Sequence, residues 1–224
     1  MDTKHLFYMT LVISIIVQLM TGIIEVGTFF INVPKSYYLL RELFLLDLAV
    51  QVVECMFYFW LAFNFTKILN VTPKRYIDWV ITTPTMLVTL IVYLIYLNRK
   101  PTDDLEFFAL LKANSGVIIP VLILNWTMLL FGYLGEIKVI PVLPSILLGF
   151  IPFLIYYYMI YVNYVSENNS GYLLFWYFFG FWTLYGVAAT LPYYIKNSFY
   201  NILDLFAKNF FGLFLSYIII SGKY

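Results

Sequence analysis

Six ionisable side chains lie inside long apolar stretches of this chain, where a charge is costly unless it faces a cavity or a partner. Five are acids and one is a lysine, namely Glu25, Asp47, Glu54, Asp78, Asp204 and Lys208. Asp204 precedes Lys208 by four residues, so the two side chains share one face of a helix. An amine held in an apolar pocket is a nucleophile suited to forming a Schiff base with an aldehyde, and neighbouring carboxylates would balance its charge. A structural Lys–Asp pair inside a transporter is the alternative.

The composition places these side chains in a membrane. Of the 224 residues, 63% are hydrophobic and 11% are charged, whereas about one quarter of a soluble domain is charged. Helices of about 20 apolar residues cross a bilayer. The apolar runs therefore predict an all-α membrane protein, a seven-transmembrane-helix bundle that occupies residues 1–224 as a single domain. The predicted spans are 6–33, 37–65, 76–97, 106–134, 140–165, 171–193 and 197–220.

The same composition excludes several other classes of protein. A single cysteine cannot build a disulfide scaffold, and a net charge of +1 does not fit a nucleic-acid-binding protein. The short segments between the spans leave no length for a soluble catalytic domain, so we expect no enzyme. His5 is the only histidine, and the sequence predicts no metal site.

Polar side chains recur at helical spacing on the first, second and last predicted spans. Those of the last span, Asn197, Asn201, Asp204 and Lys208, are separated by four, three and four residues and therefore face one way. The other two stripes are Ser14, Gln18, Thr21, Glu25, Thr28 and Asn32 on the first span, and Asp47, Gln51, Glu54 and Tyr58 on the second. Interhelical hydrogen bonding could explain each stripe separately. Three aligned stripes with buried carboxylates instead favour a hydrated path between these helices.

Three motifs resemble those of a known family. The third span carries Arg-Tyr-Ile-Asp-Trp at 75–79 and Thr-Thr-Pro at 82–84, which resembles the helix-C signature of the microbial (type 1) rhodopsins. Asp204 to Lys208, with Gly212 four residues on, resembles the retinal-lysine segment of that family. Residues 182–186, Trp-Thr-Leu-Tyr-Gly, resemble its Trp-x-x-Tyr-Pro motif with glycine in place of proline. The chain is identified as a member of this family, most similar to the rhodopsins of giant algal viruses.

The resemblance implies all-trans retinal as the cofactor and assigns roles by position. It makes Lys208 the Schiff-base lysine, Asp78 the principal counter-ion and Asp204 the second anion. Arg75 would balance both carboxylates and gate the outer path, and Thr82 would donate a hydrogen bond to the Asp78 carboxylate. The residues expected to line the polyene are Trp79, Thr83, Met86, Trp182 and Tyr185, and Ala207 beside the lysine would influence the colour.

Three activities occur in this family, and the resemblance leaves each of them open. An outward proton pump would use Asp78 as its proton acceptor, but the position of the cytoplasmic donor holds Thr89, which has no titratable proton. A sensory rhodopsin would need a transducer partner. Light-gated cation channels have an acidic and polar conduit. The corresponding residues here would be Glu42, Asp47, Glu54, Asn197 and Asn201, together with Arg75 and Thr82. We therefore expect a light-gated cation channel.

Partners and location follow from the same interpretation. We expect a multi-pass protein of a lipid bilayer, the host cell membrane if the source is viral, that conducts small cations. Carboxylate and amide oxygens are also calcium ligands, so calcium is a candidate partner, as is a second copy of the chain. Nucleic acid is not expected. The lysines and arginines divide evenly between the two sides, and the resemblance implies an N-terminus outside and a C-terminus inside.

Overall fold

The fold comes from a computed structural model that describes residues 2–99, 105–166 and 169–222. Throughout these ranges the regular structure is helical. The long helices are α1 (Thr3–Phe29), α2 (Tyr38–Asn64), α3 (Thr72–Leu97), α5 (Ser115–Glu136), α6 (Val142–Tyr164) and α7 (Tyr172–Ala188). A short helix α4 (Phe107–Ala113) precedes α5, and the chain ends with α8 (Tyr193–Asp204), a π turn (Leu205–Asn209) and α9 (Phe210–Ser221). We call these last three elements together the last helix.

Proline and glycine explain where several helices begin and end. Pro141 and Pro192 directly precede α6 and α8, positions at which the missing N–H costs no helical hydrogen bond. Gly222 ends α9 in the left-handed conformation, with a φ of 63°, which a residue without a Cβ adopts readily. Pro84 and Pro120 lie inside α3 and α5, which continue through them as expected for helices in a bilayer.

Several predicted spans differ from the observed helices by a few residues at one end, and two of the differences have a visible local cause. The predicted span 106–134 is divided, because α4 ends at Ala113 and α5 begins at Ser115 with a break at Asn114. The Asn114 side chain donates to the Leu110 carbonyl at 2.9 Å, a local bond that competes with helix continuation. The last helix begins at Tyr193, four residues before the predicted start, because Pro192 opens a helix there instead of separating two spans.

The outer surface of the bundle suits a lipid environment. Large apolar side chains such as Met20, Ile23 and Leu173 are 61%, 73% and 83% exposed. Six helices of the described chain are long and apolar enough to cross a membrane, and α7 is an apolar helix of 17 residues, the short end of the spanning range. The polar side chains are instead buried, where α1 and α2 pack against the last helix. This distribution is the reverse of that in a soluble domain, because apolar side chains cover the outer surface and carboxylates lie in the interior.

A π turn changes the direction of side chains in the middle of the last helix. It spans Leu205–Asn209 and contains Lys208. Hydrogen bonds in such a turn join residues five apart, so Asp204 and Asn209 lie on the same side of the helix, which a regular α-helix would not allow. Lys208 and Asn209 are both buried as a result, at 2% and 1% exposure.

Candidate functional site

Lys208 lies at the centre of three buried carboxylates from three helices. Its Nζ is 2.6 Å from Asp78 Oδ2, 3.5 Å from Asp204 Oδ1 and 3.8 Å from Glu54 Oε1. All four side chains are at most 2% exposed. One ammonium cannot neutralise three carboxylates, so the cluster needs further donors or cations.

Asp204 receives most of those donors. The Tyr58 hydroxyl donates to its Oδ2 and the Tyr185 hydroxyl to its Oδ1, each at 2.7 Å. Arg75 forms an ion pair with the same carboxylate at 3.3 Å, and both partners are fully buried. Two hydroxyls and two cations thus surround Asp204, which holds α2, α3, α7 and α8 together.

Arg75 fills the space between Asp204 and the N-terminal end of the last helix. Its Nε donates to Asn197 Oδ1 at 3.0 Å, and its terminal nitrogens donate to the Asn197 carbonyl and to Asn201 Oδ1. Asn197 in turn donates to Thr72 Oγ1 at 2.9 Å. The guanidinium therefore has all of its donors directed into one buried network.

One expected contact of Asp78 is wrong, and another acts at longer range. Among the described residues Arg75 forms its ion pair with Asp204, and it acts on the Asp78 carboxylate through the attraction of opposite charges without a direct contact. The Thr82 hydroxyl donates at 3.0 Å to the backbone carbonyl of Asp78, because a threonine in a helix reaches the carbonyl one turn earlier. Asp78 Oδ1 is left buried without a hydrogen-bond partner.

An apolar cavity ends at Lys208 and is formed by α3, α5, α6, α7 and the last helix. It is lined by Tyr76, Trp79, Thr83, Met86, Met128, Leu129, Gly132, Ser145, Ile146, Gly149, Phe150, Phe153, Trp182, Tyr185, Gly186, Ala189, Tyr200, Ala207 and Lys208. The five residues predicted to line the polyene are among them, and so is Ala207. A long apolar wall with one amine at its end fits a conjugated aldehyde, so the residues present suit retinal.

Several residues of this site were missed by the sequence interpretation. The walls contributed by α5 and α6, such as Leu129 and Phe153, have no pattern that separates them from ordinary core residues. Asn125 is different, since it is a single amide in an apolar run, fully buried, and it donates to Thr83 Oγ1 at 2.8 Å. A lone buried amide is a signal that could have identified it.

On the side of Lys208 away from Arg75, the first, second and last helices form a second network, which we call the inner network. Gln51 Nε2 donates to Thr21 Oγ1 at 2.9 Å and to Glu25 Oε1 at 3.4 Å. Asn209 Nδ2 donates to Thr21 Oγ1 and Gln51 Oε1, both at 3.0 Å. The inner network continues into the other buried polar side chains of α1, α2 and the last helix, and we call all of them together the polar seam. It consists of Thr10, Ser14, Gln18, Thr21, Glu25, Asp47, Gln51, Glu54, Tyr58, Asn197, Asn201, Asp204, Lys208, Asn209 and Ser216.

Many polar atoms of the seam lack a hydrogen-bond partner. They include both ends of Gln18, both oxygens of Glu54, Glu25 Oε2, Asp47 Oδ2, Asn209 Oδ1 and Ser216 Oγ. Buried polar atoms are normally satisfied, and where protein partners are absent water takes their place. The seam is therefore equipped for internal water. Glu42 lies outside the seam, half-buried near the start of α2 beside Glu106 and the Phe107 backbone.

Gly212 lies where the side chains of Glu25 and Asp47 come close to the last helix. We expect its replacement by alanine to destabilise the protein. A Cβ built there would overlap Glu25 Oε1 and Asp47 Oδ2. Overpacking a buried site costs about 1–3 kcal/mol. Denaturant unfolding of the detergent-solubilised protein measures the change. Gly27→Ala is the matched control, because a Cβ at Gly27 meets nothing within 4 Å. Equal stabilities of the two variants would contradict the close approach.

The sequence profile of the bacteriorhodopsin-like protein family matches residues 8–222. The chain belongs to this family. It is therefore a microbial rhodopsin and a multi-pass membrane protein, and the resemblance seen in the three motifs is confirmed. Rhodopsins bind retinal, so the expected cofactor is confirmed as well, and the cavity at Lys208 is the place that fits it.

Individual rhodopsins agree with this assignment. The crystal structure of the viral rhodopsin OLPVRII is 28% identical, with a TM-score of 0.80 over 99% of both chains. Xanthorhodopsin, a light-driven ion pump with dual chromophore, is 18% identical with a TM-score of 0.74 and shows the fold alone. The green-light absorbing proteorhodopsin of Gamma-proteobacterium EBAC31A08 is 26% identical over 169 residues. That alignment spans 64% of this chain and 59% of the relative.

Proposed function

We propose that this rhodopsin is a light-gated cation channel whose conducting path follows the polar seam. The observation that carries the proposal is the position of Glu54. Its carboxylate is fully buried, lacks any hydrogen bond and lies 3.8 Å from the Lys208 amine. A carboxyl needed only for helix packing would be satisfied by hydrogen bonds, whereas among the described residues the one ion-pair partner of Glu54 is the light-sensitive lysine.

Lys208 is the attachment point in this proposal, and the residues around it keep its charge balanced. Bound retinal supplies the absorption of light and a light-driven change of shape. Trp79, Met86 and Trp182 line the cavity together with Lys208 and would hold and orient retinal there. Asp78, at 2.6 Å, is the acceptor placed best for a proton that leaves the Lys208 nitrogen.

Arg75 closes the outer half of the seam in the proposed resting state. A cation travelling between α1, α2 and the last helix would meet the guanidinium and its hydrogen bonds to Asn197 and Asn201. Asp204 connects Arg75 to Lys208, because it contacts both cations through different oxygens. A loss of charge at Lys208 would strengthen the pull of Asp204 on Arg75. We propose that this coupling opens the outer seal.

The oxygen-rich seam favours small monovalent cations. Carboxylate, amide and hydroxyl oxygens can replace the hydration shell of such an ion. Within the described ranges no group of three or more acidic, cysteine or histidine side chains is arranged for a metal ion. Calcium is therefore proposed only as a weak partner. An N-terminus outside, a C-terminus inside and association of several copies in the membrane are proposed from the resemblance alone.

Voltage-clamp recording from cells that express the protein with all-trans retinal tests the proposal. We expect a light-induced current whose reversal potential follows the sodium and potassium gradients, because an open seam passes ions in either direction. A current that stays outward at every voltage and ignores these gradients would contradict a channel.

Glu54→Gln tests the role of the seam itself. We expect the photocurrent to fall at least tenfold while the visible absorption band remains, since Lys208 keeps Asp78 and Asp204 as anions. Cys55→Ser is the matched control, because the neighbouring Cys55 side chain is only partly buried and is not part of the seam. Equal loss of current in both variants would place the path elsewhere.

An outward proton pump is the second candidate, favoured by the close contact of Asp78 with Lys208. A pump also needs a donor that returns a proton to Lys208, and the structure gives little support for such a donor. Thr89, which occupies the expected donor position, donates to the Thr85 carbonyl at 2.9 Å and is buried among apolar side chains of α3. Light-driven acidification outside cells that is abolished in Asp78→Asn, without a reversible current, would favour the pump.

A further inference from the structure

Glu25 and Asp47 approach each other on the inner side of the seam, away from Lys208. They come from α1 and α2, are 0% and 2% exposed, and one oxygen of each faces the same side of Gly212. Glu25 Oε2 and Asp47 Oδ2 have no hydrogen-bond partner. The two carboxyls are thus held together in a closed interior and are poorly satisfied by donors.

The surroundings of the two carboxyls hold amides and hydroxyls but no basic group. Gln51 donates to Glu25 Oε1, and Asn209 joins Gln51 and Thr21 while its own Oδ1 stays unpartnered at 1% exposure. Throughout the described chain neither carboxyl forms an ion pair; the three ion-paired cations of the bundle contact Glu54, Asp78, Glu136 or Asp204.

The facing charged groups of the neighbouring elements add to the negative charge. Glu54 lies seven residues beyond Asp47 on α2, about two turns away, and it already faces Lys208. Lys208, on the last helix, is engaged by three carboxylates and has no contact with the inner two. Ser216, one turn beyond Gly212, offers a hydroxyl whose oxygen is unpartnered. Nothing charged among these elements compensates two anions.

Two adjacent carboxylates that are buried away from bulk solvent and have no basic partner cannot both stay ionised. Each charge disfavours the other, and burial disfavours both, so one proton is retained between them. A carboxyl pair that shares a proton needs one acceptor and one donor oxygen facing each other. Glu25 Oε1 and Asp47 Oδ2 would both touch a Cβ at Gly212, so the two carboxyls approach the same point from α1 and α2.

We propose that Glu25 and Asp47 form a proton-binding site in which the two carboxyls share a single proton. The occupied site carries one negative charge instead of two. Loss of the proton would leave a pair of carboxylates, together with Asn209 Oδ1, that attracts a cation into the inner seam. This last consequence rests on the proposed channel, whereas the proton count of the site does not.

Infrared spectroscopy of the purified, retinal-bound protein at neutral pH counts the proton. The measured quantity is the intensity of the protonated carboxyl C=O band, identified by its shift in heavy water and normalised to the amide band. In the Glu25→Gln/Asp47→Asn double variant we expect a loss of one carboxylic acid equivalent relative to the unmodified protein. Each single variant should lose none, because the remaining carboxyl keeps the proton, but its band should shift in frequency.

Other outcomes overturn the shared proton. A loss of two equivalents in the double variant and one in each single variant would mean that both carboxyls are protonated independently. No loss in any variant would mean that both are ionised. Glu42→Gln, at a half-buried acid near the start of α2, is the control and should leave the buried carboxyl band unchanged. An intact visible band shows that each variant is folded, and photocurrents, recorded separately, decide on the channel.

Discussion

Replacing Lys208 with alanine is expected to abolish the visible absorption band of protein supplied with all-trans retinal. Lys208 is the single amine that lines the apolar cavity, and its Nζ is 2.6 Å from Asp78 Oδ2. Without the covalent attachment at Lys208, retinal would absorb as a free aldehyde in the near ultraviolet. The expected change is complete loss of the band, measured by absorption spectroscopy of the purified protein.

Lys196→Ala is the matched control for this experiment. Lys196 is also a buried lysine of the last helix, but it is ion-paired to Glu136 at 2.6 Å and does not line the cavity. Its replacement should leave the visible band in place. Gel filtration shows whether the Lys208 variant is folded. A folded Lys208→Ala protein that keeps its colour would show that another group holds the chromophore.

Much of the cluster around Lys208 could be predicted from residue spacing and from the motif on the third span. Asp204 and Lys208 are four residues apart, and the motif at 75–79 places Asp78 on a neighbouring helix. The hydrogen bonds inside the cluster could not be predicted in the same way. The Thr82 hydroxyl donates to a backbone carbonyl instead of the Asp78 carboxylate, and Arg75 forms its ion pair with Asp204. Rotamers and local packing decide such contacts.

The inner seam shows a second limit of helical spacing. Steps of four and three residues predict Asn197, Asn201, Asp204 and Lys208 correctly as one buried face. The π turn at Leu205–Asn209 adds a residue at that point, so the face continues through Asn209 and Gly212. Sequence patterns do not reveal a π turn, and Asn209 was therefore missed although it follows the central lysine directly.

The positions of the helices likewise have two causes. Hydropathy sets which segments form spans, and local contacts set where each helix begins and ends. The apolar runs predicted the existence and order of the spans because a bilayer requires long apolar helices. The break at Asn114 and the early start of the last helix depend on single hydrogen bonds and on Pro192. Such features change a boundary by several residues without changing the hydropathy of the segment.

Asp204→Asn is expected to be the most destabilising conservative substitution in the site. The change keeps the shape of the side chain but leaves Arg75 buried without its anion, since Arg75 is fully buried and has no other ion pair among the described residues. Removing one partner of a buried ion pair costs roughly 3–5 kcal/mol. Chemical denaturation of the detergent-solubilised, retinal-bound protein measures the free energy of unfolding.

Two tyrosine variants separate the ion pair from the hydrogen bonds. Tyr58→Phe and Tyr185→Phe each remove one hydroxyl that donates to Asp204 at 2.7 Å, and each should cost about 1 kcal/mol. Tyr158→Phe, at a side chain that is 67% exposed on the outer surface, should cost nothing measurable. If Asp204→Asn costs no more than Tyr58→Phe, Arg75 does not depend on Asp204 for its charge balance, and the proposed coupling between Lys208 and the outer seal fails with it.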